Sequence, residues 1–234
     1  MYLEKEHVIG ILGGMGPEAT ASLYLKIISA TEASKDQDHF HTIIDSNSKI
    51  PDRTQAILYG GPSPVDEMIR TAQNLERAGA TIMVMPCITA HYFYEEIQAS
   101  IGIPIFHVLK GVRDYIDTYY PNSKKVGVLS TTATRESGLF QKALKTNRVV
   151  FPDDDSQENK VMAAIFGEDG IKQGHTDGRT KELLKEVAGI LIEEQGCELI
   201  VVGCTEVELA LKPEDLSVPF IDPMQIAADY LTKR

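Results

Sequence analysis

The chain has few cysteines, few basic residues relative to acidic ones, and no long apolar run. Its three cysteines, at positions 87, 197 and 204 of 234 residues, are too few for a disulfide framework. Their spacing matches no zinc pattern such as Cys-x-x-Cys, so free thiols are expected. Lys and Arg number 23 against 34 Asp and Glu, a formal charge of −11 with a pI near 5.0. Polyanions are held by clustered cations, so nucleic acid is not an expected partner. No stretch of about 18 apolar residues could span a bilayer, and the N-terminal MYLEKEH lacks the apolar region of a signal peptide. The expectation is a soluble cytoplasmic protein without a membrane partner.

What the chain does have is an internal repeat. Residues 8 to 20 (VIGILGGMGPEAT) correspond to 125 to 137 (KVGVLSTTATRES), and residues 78 to 91 (AGATIMVMPCITAH) to 195 to 208 (QGCELIVVGCTEVE). Gly10 and Gly127, Gly79 and Gly196, and Cys87 and Cys204 are each 117 residues apart, about one domain length. A second pair of segments, 101 to 115 and 216 to 230, places His107 against Asp222, each just past a strand. With 43% hydrophobic and 24% charged residues, the composition is that of a globular α/β protein.

Short β-rich runs near 7–12, 40–45, 80–86, 103–107, 125–130, 197–203 and 218–221 alternate with helical periodicity, and a short strand covers 149–151. This predicts an α/β fold of two similar Rossmann-like domains with parallel sheets, related by a pseudo-two-fold. Pro17 suits the first turn of a helix reaching about Ala33. Leu183, Leu184, Val187, Ile190 and Leu191 make an apolar stripe that reads as core. Asp153, Asp154 and Asp155 read as a solvated loop, with no metal expected. Residues 46 to 64 are polar and rich in Gly and Pro, which predicts a lid carrying Asp52 and Arg53 at the sheet's carboxyl edge.

Cys87 and Cys204 each stand at a strand's carboxyl end before a segment of helical pattern, where the helix dipole and free amides favour a thiolate. Such a thiolate can act as a base near neutral pH. One thiolate removing a proton from a carbon while a second thiol delivers one to the opposite face would invert a stereocentre. A lone cysteine reads as a small buried hydrophobe, and Cys197, at the start of its strand, is expected to be packing. The pairing of Cys87 and Cys204 across the repeat argues for chemistry.

The motifs GGMGPEAT, KIPDRT, PCITAH and GCTE, spread in order over nearly the whole chain, resemble the aspartate/glutamate racemase superfamily, in particular its aspartate racemase branch. The resemblance implies a cofactor-independent racemase, needing no pyridoxal phosphate, with Cys87 and Cys204 as paired acid and base at a domain interface. It implies domains of 1–107 with 221–234 and of 108–220, and a homodimer. An acidic amino acid, with aspartate ahead of glutamate, is the implied substrate. By motif Arg53 and Lys172 would pair with its carboxylates, with Asp52 beside them. Amides of the Gly13–Gly16 turn, including Met15 and Gly16, would receive a carboxylate, and Thr131 and Thr134 occupy the corresponding turn of the second half. Thr89 and Thr205 follow the two cysteines as candidate donors, and Glu206 agrees with the aspartate branch. The chain departs from the family at Ile88, where Asn is usual. Asparagine offers hydrogen-bond donors and an acceptor beside the substrate, and isoleucine offers none.

Other readings stay open at this point. Gly14, Gly16 and Ala19 satisfy the dinucleotide pattern Gly-x-Gly-x-x-Ala, but no acidic residue stands at the required distance. His91, four residues after Cys87, could serve a Cys-dependent hydrolase. A related enzyme of the superfamily, of the maleate isomerase, hydantoin racemase or decarboxylase type, and a ligand-binding homologue with impaired catalysis are further alternatives.

Overall fold

The computed structural model describes residues 7–144 and 148–233. The chain divides into two compact units, Met1–Gly111 with Met224–Arg234, and Val112–Pro223. In the first, β1 (Ile9–Gly13), β2 (Thr42–Ser46), β3 (Ile82–Val84) and β4 (Ile105–Phe106) form a parallel sheet in the order β2-β1-β3-β4. In the second, β5 (Lys125–Leu129), β6 (Arg148–Val150), β7 (Leu199–Val202) and β8 (Phe220–Ile221) form a parallel sheet in the order β6-β5-β7-β8. The order is the same in both, so the fold is α/β with two similar units, as the repeat predicts.

Parallel neighbours need a crossover of a dozen or more residues. In the first unit the Pro17–Ala30 and Val65–Arg77 helices supply it. The inner strands β1, β3 and β7 are buried along their whole length, as strands covered on both faces must be. Leu12, Met68, Leu75 and Met83 belong to the core of the first unit, and Val161, Ile165, Leu184, Val187, Leu191 and Leu211 to that of the second. Gly127 sits where a Cβ would lie 2.6 Å from Ile200 Cδ1 and 3.3 Å from Cys197 Sγ. Cys197, 3% exposed, is therefore the packing residue expected of it.

Two local expectations are corrected, and two further segments gain detail. The first helix ends at Ala30, because Thr31 turns extended and donates its hydroxyl to Ile27 O at 2.7 Å. The acidic run is a helix start: Asp153 accepts from Ser156 N and caps the Asp154–Ser156 turn. The apolar stripe near 183–191 is core as expected, with Leu184, Val187 and Leu191 fully buried; it begins in the Arg179–Gly189 helix and passes into a π-helical turn at Ile190–Glu194. Residues 46 to 64, expected as a lid, contain a helix, Arg53–Tyr59, capped by Asp52, whose side chain accepts from Gln55 N at 2.8 Å. Gly60, in the left-handed region at φ 66°, ends it.

Candidate active site

In a parallel sheet all strands end at one edge, and the loops there carry ligand sites. In the first unit that edge holds the turn after β1, the segment after β2 and the cysteine after β3. The first turn is closed by Thr20, whose Oγ1 accepts from Gly14 N at 2.9 Å and donates to Gly16 O at 2.7 Å. Gly14 has φ 89°, and a Cβ there would lie 2.3 Å from the carbonyl carbon of Asn47. Only glycine fits that position. The Gly14 amide is thus already paired, which removes one donor from the turn expected to receive a carboxylate. Arg53 Nη2 donates to Met15 O at 3.0 Å, and Nη1 to Pro51 O at 3.1 Å and Ile50 O at 3.4 Å. Its Nε is buried without a hydrogen-bond partner among the described residues. Arg53 and Met15 are therefore brought together, with the guanidinium tying the two loops.

Cys87 is 6% exposed and packs in one cluster with Met15, Ile50, Ala90 and Phe93. The segment after it is a 3₁₀ turn, Thr89–Phe93, before the short Tyr94–Gln98 helix. Ile88 and Thr89 are both buried. His91 Nε2 accepts from Val108 N at 3.3 Å, so Nδ1 carries the proton and donates to Cys87 O at 3.0 Å. The imidazole thus holds the backbone carbonyl of Cys87. Burial, then the neighbouring His107, lowers its pKa to about 4 against the opposing hydrogen bonds to Cys87 and Ile88. A neutral ring fixed in this way does not make the Cys–His pair that a hydrolase needs.

In the second unit Cys204 follows β7 and is likewise 6% exposed. Its Sγ donates to Glu206 Oε2 at 3.1 Å, and Thr205 Oγ1 donates to the same oxygen at 3.1 Å. Lys172 Nζ pairs with the other oxygen, Oε1, at 2.5 Å. Lys172 also lies 5.5 Å from the centroid of the Phe166 ring. Burial works to raise the Glu206 pKa, but the Lys172 charge and the hydrogen bonds from Lys172 and Cys204 outweigh it and hold the carboxyl below its ordinary range. Burial first and the Glu206 carboxylate second push the Cys204 thiol well above its ordinary value, with Lys172 opposing only in part. The expectation of a thiolate favoured by a helix start is overturned for Cys204. The following helix, Val207–Ala210, is a single turn, too short a dipole to offset burial.

Thr131 and Thr134 are buried at the end of β5. Thr131 caps the Thr132–Glu136 helix by accepting from Thr134 N at 3.2 Å, and its hydroxyl donates to Thr134 Oγ1 at 3.1 Å. Gln157, fully buried, donates through Nε2 to Ser130 O at 2.9 Å. Sequence reasoning missed Gln157, because it lies outside the repeat and every motif. It also missed Thr20, although that residue closes the GGMGPEAT motif. Within the second unit Cys204, Thr205, Glu206 and Lys172 form one cluster, while Thr131 and Thr134 pair with each other. Asp52 serves as a helix cap.

Comparison with known proteins gives this arrangement its class. The family model for Asp/Glu/hydantoin racemases matches residues 12–231, and the chain belongs to that family of isomerases. Among its relatives, the broad specificity amino-acid racemase RacX of Bacillus subtilis is 32% identical over 92% of each chain. Among solved structures, the aspartate racemase of Picrophilus torridus superposes with a TM-score of 0.82 at 26% identity, covering 97% of this chain and 94% of the other. An aspartate racemase homologue from Pyrococcus horikoshii gives 0.75 at 28% identity, covering 97% of each.

Proposed function

We propose that this protein racemises an amino acid by a two-base reaction in which Cys87 and Cys204 exchange roles as proton acceptor and donor, without a cofactor. The observation that supports it most is the matched pair of thiols, each at the carboxyl edge of an equivalent strand and each 6% exposed. One sulfur, as thiolate, takes the α-proton, and the electron pair of the broken C–H bond remains on the substrate. The other thiol gives its proton to the opposite face, and the cysteines end in exchanged protonation states. Mobile protons are thereby supplied by the side chains alone.

Aspartate is the first candidate substrate, from the aspartate racemase neighbours and from Arg53, whose uncommitted Nε leaves a donor for a carboxylate. The likeness to a broad specificity racemase, and Ile88 in place of a polar residue, favour a range wider than aspartate. Met15, Gly16, Asp52, Thr89, Thr131, Thr134 and Thr205 remain assigned to substrate contacts in this reading. Assembly as a homodimer belongs to the same proposal and is read by light scattering.

Incubating the protein with each enantiomer of Asp, Glu and a wider amino-acid panel in deuterated water tests the reaction. The expected product is the opposite enantiomer carrying deuterium at Cα, with little label in recovered substrate. Cys87→Ala and Cys204→Ala should each abolish inversion, a loss of at least about 10³-fold. No inversion and no label across the panel, or full inversion in either variant, would refute the assignment.

A further inference from the structure

Glu206 carries three donors on one carboxylate: the Cys204 thiol and the Thr205 hydroxyl on Oε2, and the Lys172 ammonium on Oε1. The Glu206 side chain is 7% exposed and that of Lys172 25%. An acceptor carboxylate can bond to sulfur at 3.1 Å only if the sulfur carries its hydrogen. Lys172 balances the buried charge that would otherwise be costly there. Its ammonium is therefore already paired, which differs from the substrate-carboxylate role implied by resemblance.

We infer that Glu206 is the positioning residue of Cys204, fixing its S–H direction and keeping the thiol protonated, so that the resting protein presents Cys204 as the proton donor. This rests on the two-cysteine reading of the site and adds to it which thiol begins as the acid. When Cys204 acts, its S–H bond breaks, the electron pair stays on sulfur, and the proton forms the new C–H bond. The resulting thiolate lies beside an anionic Glu206, with Lys172 as the compensating charge. Sulfur recovers its proton from the α-carbon of a substrate of the other hand, or from solvent. The charged groups acting on this thiol are Glu206 and Lys172, and they act in opposite senses.

The test follows the ultraviolet absorbance of the Cys204 thiolate against pH, as the difference between the protein and its C204S counterpart. E206Q keeps the size of the side chain and an acceptor oxygen but removes the negative charge. It should lower the ionisation midpoint by about one pH unit or more. K172M should move the midpoint upward, because it removes the cation that favours the thiolate. A purely structural role would lower melting temperature in both variants without opposite movements of the thiol. An E206Q midpoint equal to or above that of the unaltered protein overturns the inference, as does a K172M midpoint that falls. Since this readout needs no turnover, it stands or fails apart from the deuterium experiment: a shifted thiol without racemisation would remove the reaction while keeping the positioning role.

Discussion

His91 shows how one residue can be found by sequence and yet be given the wrong partner. Its spacing from Cys87 placed the two within reach, and they do meet, but through the Cys87 carbonyl and not the thiol. The reason is that Cys87 precedes the 3₁₀ turn, so the ring one turn on faces backbone. Nothing in the local pattern showed the second anchor, Val108 N, which lies 17 residues away. The anchored ring is neutral, and its folded pKa of about 4 lies below the ordinary 6.5. The unfolded chain therefore binds a proton between those values that the folded chain refuses. Stability from this group is complete above pH 6.5 and is lost as pH falls towards 4, by up to about 3 kcal/mol. Urea unfolding at pH 7 and pH 4.5 should reveal this slope. In His91→Asn the slope should shrink by the His91 share, and an unchanged slope would show that other groups carry it.

At the scale of elements, sequence read strongly where period and punctuation agreed and weakly where they competed. Among the described residues the eight strands stand close to their expected places, most clearly the buried inner strands β1, β3 and β7, whose apolar runs suit a sheet covered on both faces. The Arg53–Tyr59 helix was hidden by Pro51 before it and Gly60, Gly61 and Pro62 after it, which together resemble a loop. Its signal was present: Asp52 with Gln55 three residues on is a helix start. Asp52→Ala should cost about 1 kcal/mol of stability, while Asp52→Ser, which keeps a capping oxygen, should cost about half that or less. Thermal melts compare the two. Racemase rates then separate the roles of Asp52: if capping is its only task, Asp52→Ser keeps most of the activity, whereas a substrate contact through the carboxylate would lose it. The pairing of Lys172 with Glu206 was beyond sequence reasoning for a related reason. Both residues were recognised, but a bond across 34 positions depends on how a 3₁₀ turn, Ile171–Gln173, packs on the Val207–Ala210 helix, and no local period encodes that.

For the whole molecule, the repeat made the duplicated sheets legible, because glycine, cysteine and strand ends recur at one offset. The return of the chain's end to the first unit has its own physical basis in a small set of contacts. The Pro223–Leu231 helix buries Met224, Ala227, Ala228 and Leu231. Leu231 O accepts from the His7 ring at 2.6 Å, and Tyr230 stacks on Phe106 with centroids 4.5 Å apart. Segments more than 200 residues apart in sequence thus share one core, and loosening the last helix should be felt by β1–β4 before β5–β8. Leu231→Ala removes a fully buried side chain and should cost about 2–5 kcal/mol in the first unit. Native-state hydrogen exchange resolves where that loss falls. Amides of Ile9–Gly13 and Ile82–Val84 should exchange faster by a factor of about 30 or more, with those of Lys125–Leu129 and Leu199–Val202 changed far less. Equal acceleration in both sheets would mean that the two halves open as a single cooperative body, and the last helix would then stabilise the whole chain instead of the first unit.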